Sequence, residues 1–177
     1  GAVFAENQAL QWLIDLAGLP EGAGGVFVQG GTIGNLSALV VARAEARKKF
    51  PDATRWVIAC SEESHSSIAS AANVMDVDVL KVPTRADRKL HGEDVAREID
   101  ALHSAGTSRV FAVVGTAGTT NLGIVDDLDG IAEAAHIRNI WFHVDGAYGL
   151  AALCAPSAGA MFKGIEKADS FIVDPHK

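Results

Sequence analysis

Short apolar runs alternate with longer amphipathic stretches along the chain, and this alternation constrains the fold more than any other feature of the sequence. The runs have the length of buried strands, and the stretches between them carry apolar residues at helical spacing. Strands that alternate with helices form parallel sheets covered on both faces. We therefore predict one α/β domain over residues 1–177 with a mainly parallel sheet. The predicted strands are residues 26–28, 56–59, 77–82, 110–114, 140–144 and 171–173, and the predicted helices are residues 5–17, 35–50, 66–74, 93–104 and 128–138.

Composition narrows the classes of partner and compartment. The chain has 177 residues, 49% of them hydrophobic, which is enough to bury one sizeable core. A formal net charge of −7 argues against nucleic acid as the main partner, since phosphate backbones are bound through clusters of Lys and Arg. No apolar stretch approaches the length of a membrane span. Two cysteines, Cys60 and Cys154, define no disulfide framework and favour a reducing cytoplasm.

Two residues with complementary chemistry each follow an apolar run near the end of the chain. Asp145 follows residues 140–144, and Lys177 closes the segment that follows residues 171–173. A Lys amine can form a Schiff base with an aldehyde cofactor, and a buried Asp can keep the nitrogen of a pyridine ring protonated. Both side chains are expected at the carboxyl edge of parallel strands, where α/β folds bind ligands. The alternative for Lys177 alone is an ordinary solvated terminal lysine.

The glycine-rich segment 29–35 opens the predicted helix 35–50 and follows the predicted strand 26–28. Its backbone amides and the positive end of the helix are placed to hold a phosphate, although such a turn is as often a tight connection. It matches neither the G-x-G-x-x-G fingerprint nor the G-x-x-x-x-G-K-[ST] motif, which disfavours dinucleotide and nucleoside triphosphate binding.

Two further polar segments follow predicted strands at the same edge. His65 lies in the first, residues 61–67, where its position favours a function, although a lone histidine is more often a surface or core residue and Ser64 could serve as a helix cap. The second, residues 115–127, is rich in small and hydroxyl residues that leave room for a flat ring, and Asp127 is best interpreted as a helix cap. The remaining histidines show no paired spacing, so we predict no metal site.

The segments 143–149 and 168–177 closely resemble the group II pyridoxal-phosphate decarboxylases, which include the aromatic amino acid and glutamate decarboxylases. The resemblance extends over essentially the whole chain. It implies the aspartate aminotransferase fold (fold type I, as in other pyridoxal-phosphate-dependent transferases), of which this chain would be the cofactor-binding core of the large domain, shortened at both ends. It also implies pyridoxal 5'-phosphate as the cofactor. The residues that the resemblance places at the cofactor are Thr32, Ile33, His65, Thr120, Asp145, Ala147, His176 and Lys177.

The resemblance also implies the role of each residue. Thr32 and Ile33 hold the phosphate, and His176 lies near it. Lys177, His65 and Asp145 are the implied catalytic residues, as the Schiff-base lysine, the histidine stacked on the ring and the partner of the pyridine nitrogen. By the same match, Thr120 contacts the cofactor, Ala147 packs on the ring, and Asp126 supports the site.

The implied reaction is the decarboxylation of an L-amino acid to the amine and CO₂ through a quinonoid intermediate, by a carboxy-lyase that works as a homodimer. The sequence does not distinguish aromatic, acidic or diamino acid substrates. Two alternatives stay open at this stage. One is another fold type I enzyme, such as a carbon–carbon lyase, a desulfurase or an aminotransferase; the other is a non-catalytic fragment that depends on a partner.

Overall fold

A five-stranded parallel sheet forms the centre of the molecule. The computed structural model describes residues 1–106 and 108–177. Every neighbouring pair of strands is parallel, and the order across the sheet is β2-β1-β3-β4-β5. The strands are β1 (Arg55–Ser61), β2 (Asp78–Val82), β3 (Ser108–Thr116), β4 (Trp141–Gly146) and β5 (Ser170–Val173). Five of the six predicted strands and the predicted α/β class are thus confirmed.

The described residues form five α-helices, and all five coincide with predicted ones within a few residues. Three short 3₁₀ helices, Leu150–Cys154, Gly159–Phe162 and Ile165–Lys167, connect β4 to β5. In the part of the chain that the structure describes, no helix has both the length and the apolar character to cross a membrane. The α-helices are α1 (Ala2–Ala17), α2 (Gly31–Lys49), α3 (Ser66–Met75), α4 (Gly92–Ala105) and α5 (Leu128–His136).

Side chains that alternate along β1 divide the core into two layers. Trp56, Ile58 and Cys60 pack with α2 and α3 on one face, whereas Val57 and Ala59 pack with α4 and α5 on the other. Successive side chains of a strand point to opposite faces, so a strand buried on both faces is apolar throughout. This double coverage explains why the strands are short continuous apolar runs in the sequence.

The predicted strand at residues 26–28 is wrong. These residues form an irregular segment whose side chains remain 40% to 69% exposed. Val and Phe favour strands where they pack on a pleated surface next to a hydrogen-bonded neighbour. In the described part of the chain, residues 26–28 have no pairing strand, because the sheet consists of β1 to β5 alone. The segment instead leads into α2, with the Val28 side chain close to Gly34.

Candidate functional site

Asp145 is buried near the carboxyl end of β4, at the centre of the polar residues of the sheet edge. It pairs in register with Thr116 of β3 on one side and with Ile172 of β5 on the other. Asn35 Nδ2 donates to its Oδ2 at 2.9 Å, and the Ala147 backbone N–H donates to its Oδ1 at 3.2 Å. Each carboxylate oxygen therefore has a donor from a different element, and the orientation of the carboxylate is fixed.

A chain of hydrogen bonds leads from Asp145 into the core beneath it. Asn35 Oδ1 lies 2.9 Å from His143 Nε2, and His143 Nδ1 lies 2.8 Å from Ser170 Oγ. Trp141 Nε1 donates to the same Ser170 hydroxyl at 2.8 Å. His143 and Asn35 are almost completely buried, so every polar atom that they direct into the core needs a partner.

The chemistry of the carboxylate determines the direction of every bond in this chain. An ionised carboxylate only accepts, so the amino group of Asn35 must face Asp145 and its carbonyl oxygen must face His143. His143 Nε2 then carries a proton and donates it, and Nδ1 of the neutral ring accepts from Ser170. Burial lowers the pKa of His143 to about 4, partly offset by the nearby Asp145 charge, so the ring is neutral at physiological pH.

A second branch connects Asn35 to His65. The same Nδ2 of Asn35 donates to Ser67 Oγ at 2.9 Å, and Ser67 Oγ lies 2.9 Å from His65 Nδ1. His65 is the N-cap of α3, and its Nδ1 accepts from the Ser67 backbone N–H at 3.1 Å. Since Nδ1 is an acceptor, Nε2 carries the proton of the neutral His65 ring. Ser64, the alternative cap, does not have that role.

The first turn of α2 lies against the same edge of the sheet. An ideal Cβ placed on Gly31 would come within 3.1 Å of the Ala147 Cβ, so the turn directly abuts the residues after β4. The N-cap Gly30 has a φ of 89°, and the first turn has neither a side-chain cap nor an acidic residue. Its free amides are thus available to an anion, and Thr32 and Ile33 in this turn are exposed.

Lys177 and His176 follow β5, the strand next to that of Asp145. Both side chains are exposed and approach Asp174, with 3.4 Å between Lys177 Nζ and Asp174 Oδ2 and 3.2 Å between His176 Nδ1 and Asp174 Oδ1. The structure therefore brings Lys177 to the same sheet edge as Asp145, while its amine pairs with the nearer carboxylate.

Asp126 supports the end of β3 beside Asp145. Its buried carboxylate accepts from the backbone N–H groups of Leu90 and Thr116, each at 2.8 Å. Burial raises the pKa of Asp126 to about 6, against the lowering effect of these two donors. Thr120, in the turn between β3 and Asp126, is exposed. Asp127 caps α5 by accepting from the Gly130 N–H, as predicted.

The site has the features that a phosphate-bearing pyridine ring requires. Gly31 leaves space beside Ala147 that a larger residue would fill. The buried hydroxyl of Thr116, next to Asp145 in register, has no partner within the residues that the structure describes. An uncapped helix terminus, an oriented carboxylate and an unpaired hydroxyl at one sheet edge fit the phosphate, the ring nitrogen and a ring substituent.

Sequence reasoning missed the residues that connect the site internally. Asn35, His143 and Ser67 were not predicted as site residues, although all three are buried. One signal was present for Asn35. It lies on the helix face that continues through Leu39, Ala42 and Ala46, all buried, and a polar residue on an apolar face requires a buried hydrogen-bond partner.

Comparisons with known proteins identify the relatives of this chain. Residues 2–177 match the family model described as "Pyridoxal-dependent decarboxylase conserved domain". The chain is 34% identical over 180 residues to an aromatic-L-amino-acid decarboxylase from Bacillus atrophaeus, covering 100% of this chain and 37% of that protein. It is 37% identical over 181 residues to an L-2,4-diaminobutyrate decarboxylase from Rhizobium meliloti, covering 99% of this chain and 35% of that protein.

A solved structure agrees with these sequence matches. The fold superimposes on the crystal structure of mouse CSAD with a TM-score of 0.91 and 33% sequence identity, over 99% of this chain and 38% of that one. The chain thus spans between a third and two fifths of the length of the relatives that it matches.

Proposed function

The chain belongs to the pyridoxal-dependent decarboxylase family, and from that premise we propose that it forms the cofactor-binding core of an enzyme that decarboxylates an L-amino acid to the amine and CO₂. The observation that carries the proposal is Asp145, a buried carboxylate oriented by the N–H donors of Asn35 and Ala147 at the edge of a parallel sheet. Bound pyridoxal phosphate would supply a conjugated ring that accepts the electron pair left on Cα when the carboxylate departs.

Asp145 holds the proton on the pyridine nitrogen. An anionic carboxylate next to that nitrogen favours its protonated form, because opposite charges at short range stabilise each other. The rigid hydrogen bonds from Asn35 and Ala147 keep the carboxylate in one orientation, so no reorganisation is needed as charge develops.

The first turn of α2 and the residues after β5 bind the two ends of the cofactor. Backbone amides at Thr32 and Ile33 hold the phosphate in the field of the helix N-terminus, and His176 lies near it. Lys177 would hold the aldehyde of the cofactor through its amine. Asp174 lies within 3.4 Å of that amine and retains it at the sheet edge.

His65, Thr120 and Ala147 complete the surroundings of the ring. His65 stacks on the ring with its proton on Nε2, which lets it orient the substrate and take part in proton transfer. Ala147 is half-buried directly after β4 and packs on the ring, while Thr120 is exposed and free to contact the cofactor. Asp126 holds the end of β3 in place by accepting from the Thr116 backbone N–H.

The decisive experiment is covalent trapping on Lys177. The purified protein is mixed with pyridoxal phosphate, reduced with borohydride and digested, and the peptides are mapped by mass spectrometry. We expect a visible absorbance band before reduction and the reduced cofactor on Lys177 afterwards. Lys177→Ala should lose both signals, whereas the matched control Lys49→Ala, at the exposed end of α2, should retain them. Labelling of other lysines in place of Lys177 would overturn the proposal.

The substrate belongs to the α-amino acids, and its side chain is to be determined by screening. The two curated relatives act, by their names, on aromatic amino acids and on L-2,4-diaminobutyrate. Manometric or isotopic detection of CO₂ from aromatic, acidic and diamino acids would identify the preferred class. Release of CO₂ from none of the α-amino acids by the cofactor-loaded protein would contradict the decarboxylase assignment.

The assembly and the compartment form the last part of the proposal. A homodimer is supported by the apolar surface of α1, where Phe4 is 71% and Trp12 is 62% exposed. Localisation to the cytoplasm is supported by Cys60 and Cys154, which are both free thiols. Sedimentation of the purified protein and fractionation of the cells that produce it test these two statements.

A further inference from the structure

Asn35 occupies the point at which the polar core of the site divides. One side-chain amide contacts Asp145, Ser67 and His143, which belong to β4 and α3. Its Nδ2 donates to Asp145 and to Ser67, and its carbonyl oxygen accepts a hydrogen bond from His143. The amide is 1% exposed, so water does not compete for any of these partners.

We propose that Asn35 is a positioning residue whose amide orients the Asp145 carboxylate for the pyridine nitrogen and holds the Ser67 hydroxyl beside His65. This inference rests on the proposed function, because it concerns the two side chains that we place at the ring. It adds Asn35 and Ser67, which we do not place at the cofactor, and assigns to them the positioning of the side chains that we do.

The directional chain of donors is the basis of the proposal. Trp141 donates to Ser170, Ser170 to His143, and His143 to the carbonyl oxygen of Asn35, which leaves both Asn35 N–H groups pointing outwards. A flipped amide would set its oxygen against the carboxylate of Asp145, which only accepts. The carboxylate therefore determines which atoms Asn35 presents to the site, and His143, Ser170 and Trp141 complete the hydrogen bonds on the core side.

The two outward N–H groups have separate effects. The bond to Asp145 holds its carboxylate in one orientation for a pyridine nitrogen. The bond to Ser67 Oγ holds that hydroxyl beside His65 Nδ1, which also accepts from the Ser67 backbone N–H. The orientation of Asp145 and the position of the hydroxyl beside His65 thereby depend on one amide.

The first test measures the pyridine nitrogen directly. ¹⁵N-labelled pyridoxal phosphate bound to the protein is titrated by NMR in the unmodified protein, in Asn35→Leu and in the matched control Asn73→Leu, which replaces an exposed Asn of α3. We expect the proton-binding constant of the ring nitrogen to fall about tenfold or more in Asn35→Leu, the size expected for a hydrogen bond to a charged group. An unchanged titration in a folded Asn35→Leu protein overturns the proposal.

The second test separates the two branches. Ser67→Ala removes the hydroxyl contact to His65 and leaves both the Ser67 backbone N–H contact to His65 and the bond from Asn35 to Asp145 in place. We expect the ¹⁵N shifts of the His65 ring to change while the pyridine nitrogen titrates as in the unmodified protein. A change at the ring nitrogen as large as that of Asn35→Leu would contradict separate branches.

A third measurement needs neither a variant nor the cofactor. ¹⁵N shifts of the histidines in the unmodified protein should show a neutral His143 with its proton on Nε2. A proton on Nδ1 instead would require the flipped amide and would overturn the inference alone, even where Asn35→Leu does not fold. Lack of pyridoxal phosphate binding by the unmodified protein would overturn the proposed function, and the inference with it.

Discussion

At the scale of single residues, the buried polar residues around Asp145 depend on one another for their hydrogen bonds. A hydrogen bond that is lost inside a core leaves its partner unsatisfied, at a cost of about 1–3 kcal/mol. Replacement of His143 or Asn35 is therefore expected to destabilise the protein, although we place neither at the ring. Asn35 bonds directly to Asp145 and, through Ser67, reaches His65, the two residues that we propose at the ring.

The charge of Asp145 gives the first prediction. Asp145→Ala removes the anion beside the pyridine nitrogen, so we expect kcat to fall by about 10²-fold or more. Cofactor binding through Lys177 and the first turn of α2 should weaken much less. Steady-state kinetics with the preferred amino acid, together with titration of the cofactor absorbance, measure the two effects separately. The matched control is Asp52→Ala at an exposed turn, and near-normal turnover in Asp145→Ala would refute the assigned role.

Asp126 gives a prediction about pH at the same scale. Its pKa is raised from 3.8 to about 6 by burial, so the folded protein binds more protons than the unfolded chain between these two values. Stability from this group is therefore lost as the pH rises from about 4 to 6, and ionised Asp126 weakens folding by about 3 kcal/mol above that range.

The variant Asp126→Asn removes this titration. As the pH rises from 4 to 7, we expect the unfolding free energy of the variant to increase relative to that of the unmodified protein. A constant loss is superimposed, because Asn cannot accept from both Leu90 and Thr116 as a carboxylate does. Urea unfolding at several pH values measures this pH dependence. Parallel curves of unfolding free energy against pH for the two proteins would contradict the prediction.

At the scale of elements, the close packing of α2 on β5 fixes the distance between the first turn of α2 and the strand that precedes Lys177. Gly34 makes this possible, since a Cβ there would lie 2.8 Å from Ile172 Cγ2. Ile172 is β-branched and has little freedom to move its side chain away.

Gly34→Ala should therefore separate the two elements. We expect a net loss of about 1–2 kcal/mol in unfolding free energy, because overpacking of a core contact exceeds the gain in helix propensity. Affinity for pyridoxal phosphate should fall as well, since α2 moves relative to β5. The control is Gly24→Ala, where a Cβ meets no atom within 4 Å. Chemical denaturation and cofactor titration of both variants test this prediction. Equal stability of Gly34→Ala and the unmodified protein would show that the Ile172 side chain moves to accommodate the added methyl group.

The elements also show which parts of the fold the sequence determines. Apolar runs predicted β1 to β5 because each strand is buried on both faces, and the prediction failed at residues 26–28, where an apolar run has no strand to pair with. The start of α2 at Gly31 rather than residue 35 was missed because glycines disfavour helix interiors.

The sequence predicted the part of the site that lies at strand ends. Asp145 and Lys177 lie at strand ends that periodicity locates, and the structure places them at one sheet edge. The partners of Asn35 lie 108 and 110 residues away in sequence, at His143 and Asp145, and no local pattern indicates such pairs. Connections of this kind arise only when α2 packs against β4.

At the scale of the whole molecule, one exposed apolar surface in the described residues lies on α1. α1 exposes Phe4 and Trp12 in the described structure, and water-exposed aromatic side chains of this size are typical of interfaces. If this face joins two copies of the protein, replacing both aromatic residues by charged ones should prevent association while the core around the sheet stays intact.

Phe4→Glu/Trp12→Glu is therefore expected to convert the proposed dimer to a monomer, because two carboxylates in an apolar interface would lose their hydration without a counter-charge. Analytical ultracentrifugation measures the mass, and circular dichroism verifies that the fold is retained. Ile137→Glu is the control, since Ile137 is 78% exposed just after α5 and its replacement introduces a carboxylate away from α1. A double variant that stays dimeric would place the interface elsewhere, whereas dissociation of the control as well would indicate a general effect of charge.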